Sequence, residues 1–335
     1  AVDIVFQSLL TWINSKGQSP ALKPIQVLDR ETYGWVEFVE GAECTSTDEV
    51  SRFYQRQGSY LALLYALDAT DFHFENLIAS GEHPMLIDLE SLFQARPPAR
   101  LDLPNAGAGL SLNGSVLRIG LLPQRYFIGS DSEGVDMSGL GAQADMLTPM
   151  PVPTWDNPGT DVMRLKRMRV PMGNGQNRPK VNGNFINVET FANDIQIGFA
   201  HTYSLLVEHK EALLDANGPV AAFANVEVRY IPRATNIYSK LLYESYHPDM
   251  LRNNLIRERF FDKLWLQVEV RPYLAQIIEA EQTDMHRGDV PHFVTRPDSV
   301  DIWDSRGQRF QDYFEQSGLE LVYERLRKLN SEDLA

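Results

Sequence analysis

The segment 47–93 constrains the fold of this chain more than any other part of its sequence. Ser46-Thr-Asp-Glu49 has the pattern of a capping box, which predicts the start of a helix. Apolar residues at spacings of three and four predict that this helix is buried over 47–68. They are Val50, Phe53, Tyr54, Tyr60, Leu61, Leu64 and Leu67. A carboxylate-rich loop and two predicted strands, Leu77–Ala79 and Met85–Ile87, follow. Polar loops held between buried elements usually carry function.

The rest of the chain mixes strand and helix patterns. Glycine and proline are dense from 94 to 185, where one strand, Val116–Leu122, is predicted among long loops. Elsewhere strands are predicted for Ile25–Leu28, Trp35–Val39 and the extended piece Glu227–Pro232, and helices for 3–14, from 190 to Leu206, Asn236–Tyr243, and near 249–283 and 308–329. Strands first and helices later predict an α+β catalytic lobe with a helical C-terminal part.

Composition excludes several classes of protein. The 335 residues include 31 Lys and Arg against 45 Asp and Glu, a net charge of −14, which argues against broad nucleic-acid binding. No apolar run is long enough for a membrane span, and residues 1–15 lack the basic start of a signal peptide. A single cysteine, Cys44, excludes an internal disulfide and a Cys-rich zinc site. We therefore expect a cytoplasmic protein.

The first candidate site lies in the loop after the long helix. Asp71, His73 and Asn76 precede the predicted hairpin, and Asp88 and Glu90 follow it, twelve and more residues after Asn76. An Asp with an Asn five residues later, and a second Asp across a hairpin, is the arrangement that kinases use for base and magnesium ligands. Asp-x-His-x-x-Asn is closer to the lipid-kinase order than to His-Arg-Asp. A purely structural interpretation is also possible: the Asp and Asn residues would form Asx turns and a helix cap, His73 would be a packed structural residue, and Glu90 would be a solvated carboxylate at the strand end.

The second candidate site is Arg229-Tyr-Ile-Pro-Arg233-Ala-Thr235. If 229–232 is extended and Thr235 caps a helix that begins at Asn236, a cation and a helix N-terminus could together bind an anion such as phosphate. The alternative is a structural salt bridge with an ordinary cap. The chain has no G-x-x-x-x-G-K-[ST], Gly-x-Ser-x-Gly or His-Glu-x-x-His motif, and its seven histidines lack metal-ligand spacing.

The segment GSYLALLYALDATDFHFENLIASGEHPMLIDLESLF (58–93) closely resembles the dehydratase domain of class II lanthipeptide synthetases, the LanM type. Several further short motifs occur in the family's order, so the resemblance spans nearly the whole chain. They are Val2-Asp3 with Phe6 and Trp12, Tyr33–Val39, Ser115–Pro123, Ser138-Gly-Leu140, Thr160-Asp161 with Met163, Arg229 to Thr235, His247-Pro-Asp249 and Gly288–Pro291.

The resemblance implies a lipid-kinase-like fold and a two-step reaction. The family uses ATP and Mg²⁺ to phosphorylate Ser and Thr of a precursor peptide, with its leader and core, and then eliminates the phosphate to leave dehydroalanine or dehydrobutyrine. By matching positions, Asp71 is implied as the catalytic aspartate, and Asn76 and Asp88 as the metal ligands. His73 and Glu90 match other positions of the phosphorylation site. Arg229 and Thr235 match the pair implicated in elimination.

Two departures from the family pattern bear on what the chain does alone. The family's ATP-binding lysine precedes the segment that matches Ala1, and Lys23-Pro24 stands in a different context. One cysteine cannot supply the ligands of the family's zinc cyclase domain. The resemblance therefore implies partners in an upstream N-lobe segment and a C-terminal cyclase domain of the same protein. It divides the chain into an N-lobe end and interlobe linker (1–46), a catalytic lobe (47–189) and a helical part with the elimination site (190–335).

Two other functions remain open from the sequence. A kinase-like module could bind a peptide or partner without turnover, which the missing lysine would favour for the isolated chain. A small-molecule or lipid kinase would need the first candidate site but not Arg229 and Thr235.

Overall fold

The structure is a computed structural model that describes residues 2–31, 33–98, 114–127, 134–142, 146–148, 150–171 and 175–332. Helix α1 spans Val2–Ser15 and confirms the amphipathic helix predicted there; its buried residues are Phe6, Leu9, Leu10 and Ile13. A hairpin of β1 (Val27–Asp29) and β2 (Gly34–Val36) follows. Both predicted strands overlap it, with ends displaced by up to three residues.

Helix α2 (Thr47–Ala66) confirms the long buried helix that leads into the first candidate site. Ser46 caps it, because its side chain accepts from the N–H of Glu49. The Glu49 carboxylate accepts from the N–H of Thr45 at 2.6 Å rather than from that of Ser46, so the capping box is displaced by one residue. Thirteen residues of α2 are buried, which makes this helix the centre of the largest apolar core.

The hairpin predicted after the candidate catalytic loop is confirmed. Strand β3 (Leu77–Ser80) pairs antiparallel with β4 (His83–Leu86), and Leu77 lies opposite Leu86. Gly81 occupies the turn with a φ of +59°, a left-handed conformation that glycine adopts without strain. The short 3₁₀ helix Phe74–Asn76 leads directly into β3.

The segment 94–185 differs from its prediction. Val116–Ile119 is a 3₁₀ helix and not a strand, because Ser115 caps its start and Gly120 ends it with a φ of +82°. Three short hairpins replace part of the predicted long loops. They are β5 (Arg125–Tyr126) with β6 (Val135–Asp136), β7 (Val152–Asp156) with β8 (Arg164–Met168), and β9 (Lys180–Val181) with β10 (Asn184–Phe185). Residues 99–113 of this segment lie outside the described residues.

Helix α3 (Ala192–Glu208) packs along α2 and confirms the helix predicted from 190. The two backbones meet at two glycines. A Cβ atom on Gly58 would lie 1.9 Å from the carbonyl oxygen of Ile195, and one on Gly198 would lie 1.8 Å from that of Gln55. Neither position has room for a side chain, so the two helices approach as closely as their backbones allow.

We expect Gly58→Ala to lower the free energy of unfolding by about 3 kcal/mol, because the added methyl group must separate two packed helices. Urea unfolding of the purified protein measures the change. Gly41→Ala is the matched control, since its Cβ would meet the flexible end of the Gln176 side chain at 3.1 Å and its nearest backbone atom, Ala79 O, at an ordinary contact distance of 3.7 Å. Equal stability of the two variants would contradict the close contact at Gly58.

The C-terminal part is mainly helical, as predicted, but it also contains a four-stranded sheet, of which only the first strand overlaps a predicted extended piece, Glu227–Pro232. Strands β11 (Val228–Tyr230), β12 (Phe293–Thr295), β13 (Ile302–Asp304) and β14 (Arg309–Phe310) form one antiparallel sheet in that order. These strands have two or three residues each, too few for an alternating pattern to show. The surrounding helices are α4 (Lys210–Leu214), α5 (Thr235–Ser245), α6 (Pro248–Leu251), α7 (Asn254–Phe261), α8 (Ile278–Arg287) and α9 (Gly318–Lys328).

The helix predicted near 249–283 is therefore broken into α6, α7, two 3₁₀ helices (Asp262–Gln267 and Pro272–Gln276) and α8. The helix predicted near 308–329 is shorter at its start, because β14 and a turn precede α9. The lipid-kinase-like arrangement and the domain division at 46 and 189 stay predictions. Within the described ranges, no helix combines the length and apolar character that crossing a membrane requires.

Candidate active site

The loop 70–76 after α2 is held in place from both sides. The N–H of Thr70 donates to Ser91 O at 3.1 Å, and the N–H of Phe72 donates to Ile119 O at 2.8 Å. Phe72 is buried and turns inward, whereas Asp71 has a φ of +64° and is exposed in a cleft. A left-handed aspartate held by its neighbours is typical of functional sites. The conformation presents the Asp71 carboxylate to the cleft.

The hairpin returns the chain to this loop, as the spacing predicted. The N–H of Ile87 donates to Asn76 O at 3.1 Å, so Asp88 begins beside the end of the 3₁₀ helix. Asn76 donates from Nδ2 to the carbonyl of Asp71 at 2.8 Å. This hydrogen bond uses the donor end of the amide and leaves Oδ1 as the atom that could bind a cation.

The carboxyl groups of Asp71, Asp88 and Glu90 lie within electrostatic reach of one another. Asp71 is exposed to the cleft, but the atoms around it partly desolvate its carboxyl, which raises its pKa above the ordinary value. The charge of His73 opposes this shift, and the charges of Asp88 and Glu90 raise the pKa further. Arg229 also lowers it. Burial also raises the pKa of Asp88, with Glu90 the next cause. Carboxylates that raise one another's pKa form a site that favours a cation or a proton.

His73 has a structural contact inside the loop. Its Nδ1 accepts from the N–H of Glu75 at 3.2 Å and lies 3.9 Å from the Glu75 carboxylate, so the ring caps the 3₁₀ helix. This agrees with the structural alternative for His73. The residue also lines the cleft beside Asp71, and its role in the phosphorylation site stays a prediction.

Arg229 and Glu90 join the two candidate sites, which the sequence had left separate. Arg229 Nη1 lies 2.6 Å from Glu90 Oε1, and the N–H of Arg229 donates to Glu90 O at 2.8 Å. Glu90 is therefore not a solvated strand-end carboxylate, which was the alternative for it. Strand β11 carries Arg229 to the edge of the site that Asp71 and Asp88 occupy.

Thr235 does not cap a helix, which corrects the prediction. Ala234 is the residue before α5, and Thr235 is the first residue inside it. A capping side chain belongs to the residue just before the helix and accepts a hydrogen bond from a backbone N–H of the first turn. That position is Ala234, whose side chain cannot accept one, so the start of α5 has no side-chain cap. Thr235 is exposed and lines the same cleft as Asp71 and His73, a cavity of about 850 Å³.

Arg233 supports this turn, and sequence reasoning missed it. It is 2% exposed and makes a two-pronged ion pair with Glu281, at 2.7 and 3.2 Å. Tyr238 donates to the same carboxylate at 2.5 Å, and Arg233 Nη1 donates to Gln267 at 3.0 Å. The signal was a second arginine within the Arg229–Thr235 motif. Its partner Glu281 lies 48 residues further along the chain, where no local pattern marks it.

The donor set suits a hard divalent cation held partly by phosphate. Asn76 and Asp88 offer amide and carboxylate oxygens, and Mg²⁺ usually takes one or two such ligands together with substrate phosphates. In the described part of the chain, no group of three or more His, Cys, Asp or Glu side chains could hold a metal by itself. The residues therefore fit a magnesium ion that arrives with a nucleotide, with Asn76 and Asp88 as the groups that would hold it.

A second cavity, of about 350 Å³, is lined in part by the hairpin of β3 and β4. Val36–Val39 form one wall, and Ile78, Leu86 and Ile87 from the hairpin form another. Its lining is mainly apolar, so it suits a flat hydrophobic group.

Comparison with known proteins places the sequence in a family. The model of a domain of unknown function, DUF4135, matches residues 1–296. The Lacticin 481/lactococcin biosynthesis protein LcnDR2 of Lactococcus lactis subsp. lactis is 31% identical over 319 residues, 89% of this chain. The aligned region is 32% of that protein, so the chain spans about a third of its length. The chain belongs to the DUF4135 family, and the resemblance to class II lanthipeptide synthetases that its motifs carry is confirmed.

Proposed function

We propose that this chain is the dehydratase domain of a lanthipeptide synthetase, which phosphorylates Ser and Thr of a precursor peptide with ATP and then eliminates the phosphate. The contact between Arg229 and Glu90 carries the proposal. It sets a cation suited to a leaving phosphate beside carboxylates suited to phosphoryl transfer. A simple kinase needs only the carboxylates suited to phosphoryl transfer.

In the first step Asp71 accepts the proton of the substrate hydroxyl as its oxygen attacks the γ-phosphorus of ATP, and ADP leaves. Asn76 and Asp88 would hold the magnesium ion that accompanies the nucleotide. Bound Mg²⁺ supplies neutralisation of the phosphate charge. The raised pKa of Asp71 suits a group that takes up a proton.

In the second step a general base takes the proton from the carbon next to the peptide carbonyl, and the bond between the side-chain carbon and the phosphate oxygen breaks. A carbon–carbon double bond forms, and inorganic phosphate leaves with the electron pair of the broken bond. Arg229 and the Thr235 hydroxyl stabilise the charge that grows on the leaving phosphate. The Thr235 hydroxyl is exposed and is not used as a helix cap, which supports this role.

The apolar cavity beside Val36–Val39 is proposed as the adenine site. Leu86 and Ile87 line it and directly precede Asp88, so an adenine seated there would bring its phosphates close to Asn76 and Asp88. The Tyr33–Val39 segment would then be the interlobe linker that the resemblance implies.

Mass spectrometry of a candidate precursor peptide, incubated with the full-length protein, ATP and Mg²⁺, tests the proposal. We expect a loss of one water for each modified Ser or Thr. A stable gain of phosphate would show a simple kinase. An unchanged peptide, together with magnesium-dependent ATP binding, would show a binding module without turnover.

A further inference from the structure

Three arginines converge on one buried carboxylate directly behind the candidate catalytic loop. Asp68 is 1% exposed. Arg96 Nη2 donates to both of its oxygens, at 3.1 and 3.2 Å, while Arg118 Nη1 lies 2.6 Å and Arg325 Nη2 2.5 Å from Oδ1. None of these residues belongs to the motifs that the proposed reaction uses.

Two of the arginines face the cleft and one does not. Arg96 and Arg118 line the cavity that also contains Asp71, His73 and Thr235. Arg325 reaches Asp68 from α9, donates to Tyr65 O at 3.1 Å and is not part of the cavity lining. The cleft therefore has a basic region of Arg96 and Arg118 and an acidic region that includes Asp71.

Arg118 is fixed relative to Asp71 by main-chain contacts. The hydroxyl of Thr70 donates to Arg118 O at 3.1 Å, and the N–H of Phe72 donates to Ile119 O at 2.8 Å. The residues on both sides of Asp71 thus bind the 3₁₀ helix that carries Arg118. A pre-positioned guanidinium loses little conformational freedom when it binds an anion.

The basic region is also connected to the elimination site, through hydrogen bonds of Gln94. Arg118 Nη2 donates to Gln94 O at 3.4 Å, and Gln94 Nε2 donates to Arg229 O at 2.8 Å. A chain of hydrogen bonds therefore runs from Arg118 to the backbone of Arg229. A group bound at Arg118 would lie between the acidic loop and the Arg229–Thr235 turn.

Electrostatics favours an anion at this place. Burial lowers the pKa of Arg118 from its ordinary value; Asp68 opposes the shift, and Arg96 adds to it. Like charges gathered in a partly buried site repel one another, and a dianionic phosphate relieves the repulsion while accepting several charge-assisted hydrogen bonds.

We propose that Arg96 and Arg118 form an anion subsite that holds the phosphate of the phosphorylated Ser or Thr side chain between the two chemical steps. The inference rests on the proposed function for the identity of the ligand. The subsite binds and positions the phosphopeptide, whereas Arg229 and Thr235 act on the leaving group.

The test uses the full-length protein and a synthetic phosphoserine peptide of the precursor sequence, with Mg²⁺ and ADP, so that the kinase step is bypassed. We expect Arg118→Gln and Arg96→Gln each to raise KM for elimination about tenfold, with kcat nearly unchanged, because each removes one charge-assisted contact made in both ground and transition states. Arg325→Gln is the matched control, since it removes a cation from Asp68 outside the cleft. The KM for ATP should stay unchanged in all three variants.

Binding of the phosphopeptide and of its unphosphorylated form, followed by fluorescence anisotropy, separates the two proposals. If the parent protein leaves the phosphopeptide intact but Arg96→Gln still weakens its binding, the elimination function fails and the subsite stands. Three results would overturn the subsite: unchanged binding and KM in well-folded Arg96→Gln, an equal loss in Arg325→Gln, or a change confined to the KM for ATP. Arg96 is the more exposed of the cleft pair, so its variant keeps the test open if Arg118→Gln does not fold.

Discussion

Asp71→Asn in the full-length protein is expected to reduce phosphorylation of the precursor peptide by about 10³-fold, because an amide cannot accept the proton of the attacking hydroxyl. Asparagine is the informative replacement at this position. Asp71 has a φ of +64°, a conformation that asparagine tolerates and alanine does not favour. The contact from Asn76 is made to the Asp71 carbonyl, which the substitution leaves in place. Loss of activity would therefore not come from a distorted loop.

The rate is measured as phosphopeptide plus dehydrated peptide formed over time, by mass spectrometry. Asp298→Asn is the control: the same change at an exposed carboxylate in the turn between β12 and β13, outside the cleft lining. We expect parental activity in the control and parental melting temperature in both variants. Normal product from Asp71→Asn would remove Asp71 from the proposed mechanism.

Arg229→Met is expected to separate the two steps and cause phosphopeptide to accumulate. Methionine keeps much of the length of the side chain and removes the charge that would stabilise the leaving phosphate. Loss of one such contact typically lowers a rate by about 10²-fold or more. The backbone hydrogen bond from Arg229 to Glu90 survives the change, so β11 keeps its place beside the site.

Mass spectrometry at successive times distinguishes the phosphorylated from the dehydrated peptide. Arg296→Met is the matched control, because Arg296 directly follows β12 in the same sheet and its contacts, a 3.6 Å ion pair with Glu227 and a position over the Trp303 ring, lie outside the cleft lining. It should dehydrate the peptide at the parental rate. Unmodified peptide in Arg229→Met would mean that this arginine serves phosphorylation, and the division of roles would be wrong.

Local features of the site could be predicted from the sequence because short-range rules determine them. The cap at Ser46, the apolar spacing of α2 and the turn at Gly81 each depend on residues within a few positions of one another. Together they fix where the hairpin begins and ends. The meeting of Asn76 with the segment before Asp88 follows from that geometry alone.

Contacts between distant segments could not be predicted in the same way. Glu90 and Arg229 are 139 residues apart, and Arg233 and Glu281 are 48 apart, so no spacing rule connects them. The sheet of β11 to β14 was not predicted for a related reason, since strands of two or three residues are too short to show an alternating pattern of apolar and polar residues. Thr235 was predicted to cap the helix because threonine is a common capping residue, but Ala234 occupies the capping position.

The close crossing of α2 and α3 determines which parts of the cleft can move. At Gly58 and Gly198 the two backbones meet directly, and the side chains of Ser51 and Gln55 bind Asp194 across the same pair of helices, so one helix cannot slide over the other without breaking packed contacts. The loop that carries Asp71 is attached to the end of α2 and so forms the stationary wall of the cleft. Because Arg229 and Arg233 hold the segment Tyr230 to Asn236 as well, we expect any opening that admits a peptide, and any closure that excludes water, in the lining segment Val270 to Tyr273.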